Sequence, residues 1–483
     1  MNRHFKLTSV LAFPLFISGC VGLNEGFDTR LGFAIVGEKT AQTLGKDTVW
    51  VQNRQEAASV KNRVSKLLAT KYVGADTAVQ VALLNNKSLQ AAYAEIGISG
   101  ADLWQESLPA NPTVAVSYMG IGGLRTIESV IAANVVRLLT RERRLDVSEI
   151  RVLQARLRAV GETLALATET RVAWIEAVAA WEAVGNLNKA KIAADAAAEF
   201  GAELGRTGAF PKVEQAREQA FYAELTAQTS EARLEAQLAK EKLVRLMGIW
   251  GDDLDFEVPN TLPRLPSRVG VKSAIEAEAL RNRGDLQVAR LELDALARSY
   301  GLTKATRYVS DIELAAGPEI EEEVEETEGG REERSNKLTG IVEASLEIPI
   351  FDSGQARLRK AEFTYLRAAN VLAAKSVNIR SEARSAYKAY RSRYDIARHY
   401  SSSVVPLRTT VEKEALLTYN GMITSTFDLL ADTRAKLNAI LLSLNSKRGF
   451  YLADAGLTAA IYGGGEVDSG GGAEMAETGG DDE

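Results

Sequence analysis

The chain has 483 residues, 46% hydrophobic and 25% charged, enough for two or more ordinary domains and too apolar for a wholly disordered polymer. One Cys excludes an intramolecular disulfide framework and a Cys-based zinc site, and two His (His4 and His399) leave histidine chemistry almost nothing to work with. The net charge of −6 comes largely from the last 21 residues, which hold seven acids and no base, so the remainder offers no basic footprint for nucleic acid. No phosphate loop, nucleophile-plus-base motif or metal-ligand spacing stands out, so neither a cofactor nor an enzyme activity is expected.

Arg3 and Lys6 precede an apolar stretch, Leu7 to Ile17, that ends in Ser18-Gly19-Cys20. This order predicts a secretory signal over residues 1–19. Small residues directly before the sole cysteine resemble a bacterial lipobox, which implies cleavage there and lipidation of Cys20; an ordinary signal with an incidental Cys is the alternative. Residues 20–75 then form a lipid-anchored N-terminal segment. No apolar run of about 18 residues follows Cys20, so any membrane crossing is expected from strands rather than helices.

The remaining chain is a duplication. ALLNNKSLQA at 82–91 and ALRNRGDLQV at 279–288 match at an offset of 197, which also relates Glu95 to Glu292. Glu128 and Glu343 open similar runs at an offset of 215, and Arg217 and Arg434 correspond at 217. The repeats are placed at 76–258 and 271–462, joined by a Pro-rich connector at 259–270, and an acidic, Gly-rich tail at 463–483 is read as disorder from its composition.

Each repeat reads as a helix, two strands and a long helical hairpin. The first helix is expected from about Thr77 to Ser107. Val114, Val116 and Tyr118 then alternate with Thr113, Ala115 and Ser117. A second strand is placed near Glu128 to Leu138. A heptad seam of Ile150, Leu153, Leu157, Val160, Leu164 and Ala167 opens a helix running to about Glu203. Its return, after Pro211, carries a small-residue seam of Val213, Ala216, Ala220, Ala223 and Ala227. In the second repeat Ile312, Leu314 and Ala316 alternate with Asp311, Glu313 and Ala315. Val342 to Ile350 forms the best strand, and the run Glu319 to Glu333, with nine Glu and one Arg, is read as a solvated loop between strands. The second hairpin rises from about Ser353, with a kink expected at Pro406, turns at Asn420-Gly421 and returns through Leu429 to Leu457. Alternation of this kind suits a transmembrane barrel strand or the edge of a soluble sandwich.

Four strands cannot close a barrel around a lumen, and open strand edges in lipid leave backbone groups unpaired. With the lipobox and the duplicated hairpins, the chain resembles the TolC-like outer-membrane efflux protein family. The match runs from about Asp76 to Ile461, most specifically at ALLNNKSLQAAYAEIG, at IPIFDSGQARLRKAE (348–362) and at GMITSTFDLLADTR (421–434). The resemblance implies a mainly α fold with a membrane β-barrel part: a homotrimer pooling twelve strands into one barrel, continued by a tunnel of helices. It also implies a lipid-anchored place in the outer membrane of a Gram-negative bacterium, most of the mass in the periplasm. A periplasmic adaptor (membrane fusion) protein and an inner-membrane pump are the partners implied. The function expected is a passive exit duct for efflux or type I secretion; a structural coiled-coil envelope lipoprotein without a channel is the alternative.

The family narrows its periplasmic end with paired aspartates on the inner return helix. Asp428 matches the first; Ala431 stands where the second belongs, and Asp432 follows it, one turn from Asp428 on the same helical face. Ser425-Thr426-Phe427-Asp428 also reads as a capping box, a structural role for Asp428 that is compatible with a gate. The resemblance further places adaptor contact at the hairpin tips, Gly205, Arg206, Thr207 and Gly208 in the first repeat and Asn420, Gly421, Met422 and Ile423 in the second. Gly and Asn there suit left-handed turn backbone.

Overall fold

The structure, a computed structural model, describes residues 30–463 except 31, 122, 123, 207, 209, 210, 271–273, 310, 328–330, 349 and 422. Cys20, Thr207, Met422 and the tail after Gly463 lie outside the described residues. Two compact units are formed. One gathers Glu95–Leu153 and Ala295–Glu362; the other gathers Ile35–Ala94, Gln154–Asp294 and the chain from Phe363.

In chain order the first repeat is preceded by α1 (Phe33–Leu44) and α2 (Arg54–Leu68). It then runs α3 (Ala75–Asn85), α4 (Lys87–Ser107), β1 (Thr113–Ile121), β2 (Leu124–Asn134), α5 (Val135–Leu139), α6 (Arg141–Arg206) and α7 (Lys212–Met247). The second repeat runs α8 (Ile275–Asn282), α9 (Gly284–Ala305), β3 (Ile312–Thr327), β4 (Arg331–Leu346), α10 (Gln355–His399), α11 (Val405–Asn420) and α12 (Thr426–Tyr462). The mainly helical class and the duplicated order therefore hold. The 66 residues of α6 span about 100 Å at about 1.5 Å per residue.

The expected single helix from Thr77 to Ser107 is two helices. Asn86 adopts φ −63°, ψ 124°, an extended conformation, and its Oδ1 accepts from the Leu89 amide at 3.1 Å to start α4. The same break recurs 197 residues later, where Arg283 has φ −62° and ψ 112°. In each copy the broken corner caps its own return helix. Asn85 Nδ2 donates to the Gly248 carbonyl at 2.6 Å and Asn86 Nδ2 to the Leu246 carbonyl at 2.9 Å. Arg283 Nη1 donates to the Ala460 carbonyl at 3.4 Å. Carbonyls at a helix C-terminus lack intrahelical partners, and these side chains supply them.

Two further expectations are corrected and a third is located more closely. Strand β2 stops at Asn134 because its Oδ1 accepts from the Arg137 amide at 2.7 Å and caps the short helix α5, so Val135 to Leu139 is helical. Strand β4 stops at Leu346; beyond it the Ile350 amide turns back to the Ile348 carbonyl at 2.8 Å instead of joining the ladder. The irregularity near Pro406 is a π-turn at Tyr400–Val404, just upstream, where the Val405 amide reaches the Tyr400 carbonyl. It opens the ladder before the residue that cannot donate.

The helical seams also differ from the simple pattern. On α6 Ile150, Val160, Leu164 and Ala167 are buried but Leu153 is exposed, and a second row of Val152, Ala155 and Ala159 is buried beside them. On α7 the small-residue stripe is exposed, and Phe221, Leu225, Thr229, Ala232 and Ala236 are buried instead. Both stripes satisfy a 3.6-residue period; the one that removes more apolar area from water faces the neighbouring helices. Those neighbours are α6, through Val184, Leu187 and Ala194, and α12, through Leu430, Leu437 and Leu441.

The connector after α7 is held by side chains rather than by its own structure. Tyr394 Oη donates to the carbonyls of Pro266 and Ser267 at 3.0 and 2.9 Å, and Tyr451 Oη to that of Arg264 at 2.9 Å. Trp174 Nε1 donates to the Val73 carbonyl at 2.8 Å inside a core that includes Leu243, Met247 and Phe256.

Candidate pore wall and hairpin ends

The four strands form one antiparallel sheet in the order β1-β2-β3-β4. Its register sorts side chains by parity. One face presents Val114, Val116 and Tyr118 of β1 beside Ile131 and Ile127 of β2. The same face continues through Ile312, Leu314, Ala316 and Ile320 of β3 to Leu346, Ala344, Val342 and Leu338 of β4. These apolar side chains are open to the surroundings, Val342 83% and Val114 70% exposed. The opposite face carries Ser117, Glu128, Glu313, Glu319, Glu321, Thr339 and Glu343, with Ser117 Oγ donating to Glu128 at 3.1 Å. Among the described residues the outer edges of β1 and β4 have no strand partner.

The acidic run is not a loop. Glu319 to Thr327 lie within β3, and Arg331 to Glu333 open β4. Glutamate is a poor strand former, and cross-strand pairing overrides that preference. Glu321 faces Lys337 across the ladder, Nζ to carboxylate 3.7 Å, and Glu322 lies 3.8 Å from both Arg125 and Arg334. A signal for this was present in the sequence: a Gly pair stands between the acids and the bases, and Lys337 lies as far after Gly329 as Glu321 lies before it. The Arg125–Glu322–Arg334 group marks where the apolar face ends, Glu322 standing two residues past Ile320 on β3.

Strand exit into α10 explains the FDSG sequence. Gly354 has φ +69°, and a Cβ there would sit 2.8 Å from the Arg307 carbonyl, so only glycine fits. Asp352 Oδ1 accepts from the Gly354 amide at 2.9 Å, and Arg307 Nε donates to the Ser353 carbonyl at 2.9 Å. In the first repeat the clamp runs the other way: Arg141, after the strands, donates through Nε to the carbonyl of Ser107, before them, at 2.9 Å.

The two hairpin ends use different chemistry. At the first, Gln215 Nε2 on α7 donates to the carbonyls of Gly201 and Ala202 at 3.1 and 3.2 Å, capping α6 from outside. This amide lies 2.0 Å from where a Gly205 Cβ would be. Arg206 and Gly208 are exposed, and Gly208 has the expected left-handed φ of +77°. At the second end Gly421 has φ −78°, so it is not left-handed as expected; its amide simply ends α11 on the Leu417 carbonyl at 3.0 Å. The turn is closed instead by the Ile423 amide on the Thr418 carbonyl at 2.9 Å and by the Thr418 and Thr424 hydroxyls at 3.1 Å. Ile423 is 78% exposed.

Asp428 does cap α12. Its amide donates to Ser425 Oγ at 3.2 Å, and its Oδ2 accepts from Ser425 Oγ at 2.8 Å. It is exposed, and Asp432, one turn on, is half-buried. Further along α12, Arg434 donates to Glu224 at 3.2 Å and lies 4.6 Å over the Phe221 ring, tying α12 to α7. Lys436 pairs with Glu412 of α11 at 2.8 Å. Sequence reading passed over Glu218. It is buried on α7 with Oε2 lacking a hydrogen-bond partner, and burial pushes its carboxyl up, reinforced by Glu214 and opposed by Arg434.

Among the described residues no helix is long and apolar enough to cross a membrane, and no group of three or more His, Cys, Asp or Glu is arranged to hold a metal ion.

Residues 277–425 match the family model described as outer membrane efflux protein. No curated protein is matched by the sequence. Among solved structures, one reported for conformational changes of CusC accompanying folding and transmembrane channel formation is similar at 16% identity. It covers 82% of this chain and 94% of that chain with a TM-score of 0.67. The MtrE outer membrane channel of Neisseria gonorrhoeae is similar at 16% identity over 84% and 90% of the two chains, TM-score 0.64. The CmeC outer membrane channel of Campylobacter jejuni follows at 17% identity over 89% and 92%, TM-score 0.61. At these identities the likeness shows the fold.

Proposed function

We propose, from a chain whose residues 277–425 match the outer membrane efflux protein family model and whose fold is that of solved outer-membrane channels, that it is the exit duct of a tripartite efflux or type I secretion system. The observation that carries this is the sheet: four strands, one face apolar and open, the other carrying the glutamates, with both edges unpaired among the described residues. Such a sheet is stable in lipid only when each β4 edge pairs with a β1 edge of another copy. Three copies give twelve strands, apolar outside and polar within, so the duct is a homotrimer with the Glu128, Glu313 and Glu343 face on the lumen.

The dimensions support this reading. From Ile312 to Ile320 the apolar face runs about 26 Å along the strand at about 3.3 Å per residue. At a barrel tilt of about 40° that is about 20 Å of membrane normal, close to the apolar band of about 25 Å of outer-membrane barrels. Exposed Tyr308 and Phe351, below the sheet, suit an interfacial girdle. Lipidation at Cys20 adds a second attachment to the outer membrane, with the helical mass in the periplasm.

The hairpin ends are the seat of control and contact. Asp428 and Asp432, repeated by threefold symmetry, place six carboxylates at the closed periplasmic end, while Asp428 retains its capping role. Exposed Arg206, Gly208, Gly421 and Ile423 meet the adaptor (membrane fusion) protein, which links the duct to the inner-membrane pump. Reconstitution of the detergent-purified protein into planar bilayers tests the reading. Cation-selective, step-like conductance from a trimeric fraction is expected. A monomer that leaves the bilayer silent overturns it and favours a tethering lipoprotein.

A further inference from the structure

A cavity of about 980 Å³ opens in the helical unit, between α1, α6, the α8–α9 corner, α10 and the end of α12. Five bases line it: Lys39, Arg158, Arg281, Arg283 and Lys375. Its acids are Glu162, Asp285 and Glu382, which leaves an excess of two positive charges. Two of these acids are already engaged. Asp285 lies 2.9 Å from Arg283 and 3.4 Å from Lys375, and Glu382 lies 2.8 Å from Arg283. The positive excess therefore belongs mainly to Lys39, Arg158 and Arg281, in a chain whose remaining surface is close to neutral.

The chain itself carries the complement. Helix α12 ends at Tyr462, and Gly463, the last described residue, is part of the cavity wall. A Cβ on Gly463 would sit 4.0 Å from Arg283 Cδ. The twenty residues that follow contain seven acids (Glu466, Asp468, Glu474, Glu477, Asp481, Asp482 and Glu483) and no base. A segment with seven acids and no base thus begins on the wall of a groove with surplus positive charge. We propose that the C-terminal segment 464–483 seats in this groove of its own chain. Tethering at Gly463 gives it an effective concentration in the mM range, so charge attraction that is weak for a free acidic peptide suffices to hold it. Neither the channel reading nor the membrane orientation enters this inference.

The test uses the detergent-solubilised full chain, a form ending at Gly463, and a fluorescent peptide of residues 464–483. The peptide is expected to bind the shortened form, to bind the full chain at least about tenfold more weakly because its own tail competes, and to be released as salt rises from about 0.05 to about 0.5 M. Arg158→Glu with Arg281→Glu in the shortened form, neither residue packed in a core cluster, removes peptide binding. In the full chain, hydrogen exchange over α6 near Arg158 and at the α8–α9 corner is expected to be slower than in the shortened form. Equal peptide affinity for the two forms, binding insensitive to the charge reversals, or identical exchange overturns the proposal. So does a photo-cross-linker at Glu466 that reaches the groove only in a neighbouring copy.

Discussion

The two copies of the repeated unit agree where the backbone must turn and disagree where the chain ends in water. Both break their first helix at equivalent residues, Asn86 and Arg283, and use that corner to cap the return helix. Both tie the two ends of their strand pair together with an arginine on a backbone carbonyl, though from opposite sides of the strands. Their tips differ. The first closes on a glutamine reaching across the hairpin to α6; the second closes on Thr418, through the Ile423 amide and the Thr424 hydroxyl, ahead of a serine–aspartate box that caps α12. Their strands differ as well: 9 and 11 residues in the first copy, 16 and 16 in the second. Packing constrains the corners, because each one satisfies helix-end carbonyls buried beside another element. The tips and the upper strands meet solvent, so any chemistry that closes the turn serves.

The strongest way to break the equivalence of the two copies is on the apolar face. Val116→Arg in the first copy and Val342→Arg in the second should each cost about 2–4 kcal/mol per subunit at mid-membrane, abolishing the trimer measured by light scattering in detergent. Glu343→Gln, next to Val342 but on the other face, should leave assembly intact. If Val342→Arg assembles normally, the two-faced reading of the sheet fails.

The tips come next in size. Gly205→Leu needs the space held by the Gln215 amide, so it should expel that cap and destabilise the first tip by about 1–2 kcal/mol. Gly421→Ala, with φ −78° and no contact closer than 3.5 Å, should be nearly neutral. Local hydrogen exchange at each tip measures the contrast, and equal effects at both would erase the distinction drawn between them. Ser425→Ala removes the box and should cost about 1 kcal/mol, seen as faster exchange in the first turn of α12.

Glu218 supplies a pH dependence to the first hairpin. Its raised carboxyl pKa means that its contribution to stability is complete in acid and is lost as pH rises through the folded-state value. Glu218→Gln should therefore raise the melting temperature at pH 8 and leave it unchanged at pH 4. A gain that is equal at both pH values would show that ionisation is not the cause. Smallest is Glu322→Gln at the rim of the apolar face. It loosens an exposed pair of arginines and should change stability by less than about 1 kcal/mol, read from the denaturation midpoint of the assembled oligomer.

Much of the fold was legible in the sequence because its signals are periodic and local. The 197-residue repeat, the alternation on β1, β3 and β4, Pro211 before α7 and the box at Ser425 each act within a few residues of themselves. The acidic run failed as a loop because strand formation there depends on Arg125, Arg334 and Lys337, residues on other strands. The α7 seam failed because two stripes fit one helical period, and only the neighbours, Val184 and Leu437 among them, choose between them. Of the candidate site, Asp428's capping role could be read from its own turn. The burial of Glu218, the reach of Gln215 across the hairpin and the groove beside Gly463 could not.

By itself, then, the sequence determined the repeat, the order of helices and strands, and which residues of a strand share a face, since backbone geometry imposes those periods wherever the segment lies. Tertiary structure decided which helical stripe is buried, where strands stop and which charges meet. Those outcomes depend on partners distant in the chain, and the free energy of burying or pairing a group exists only once the partner has arrived.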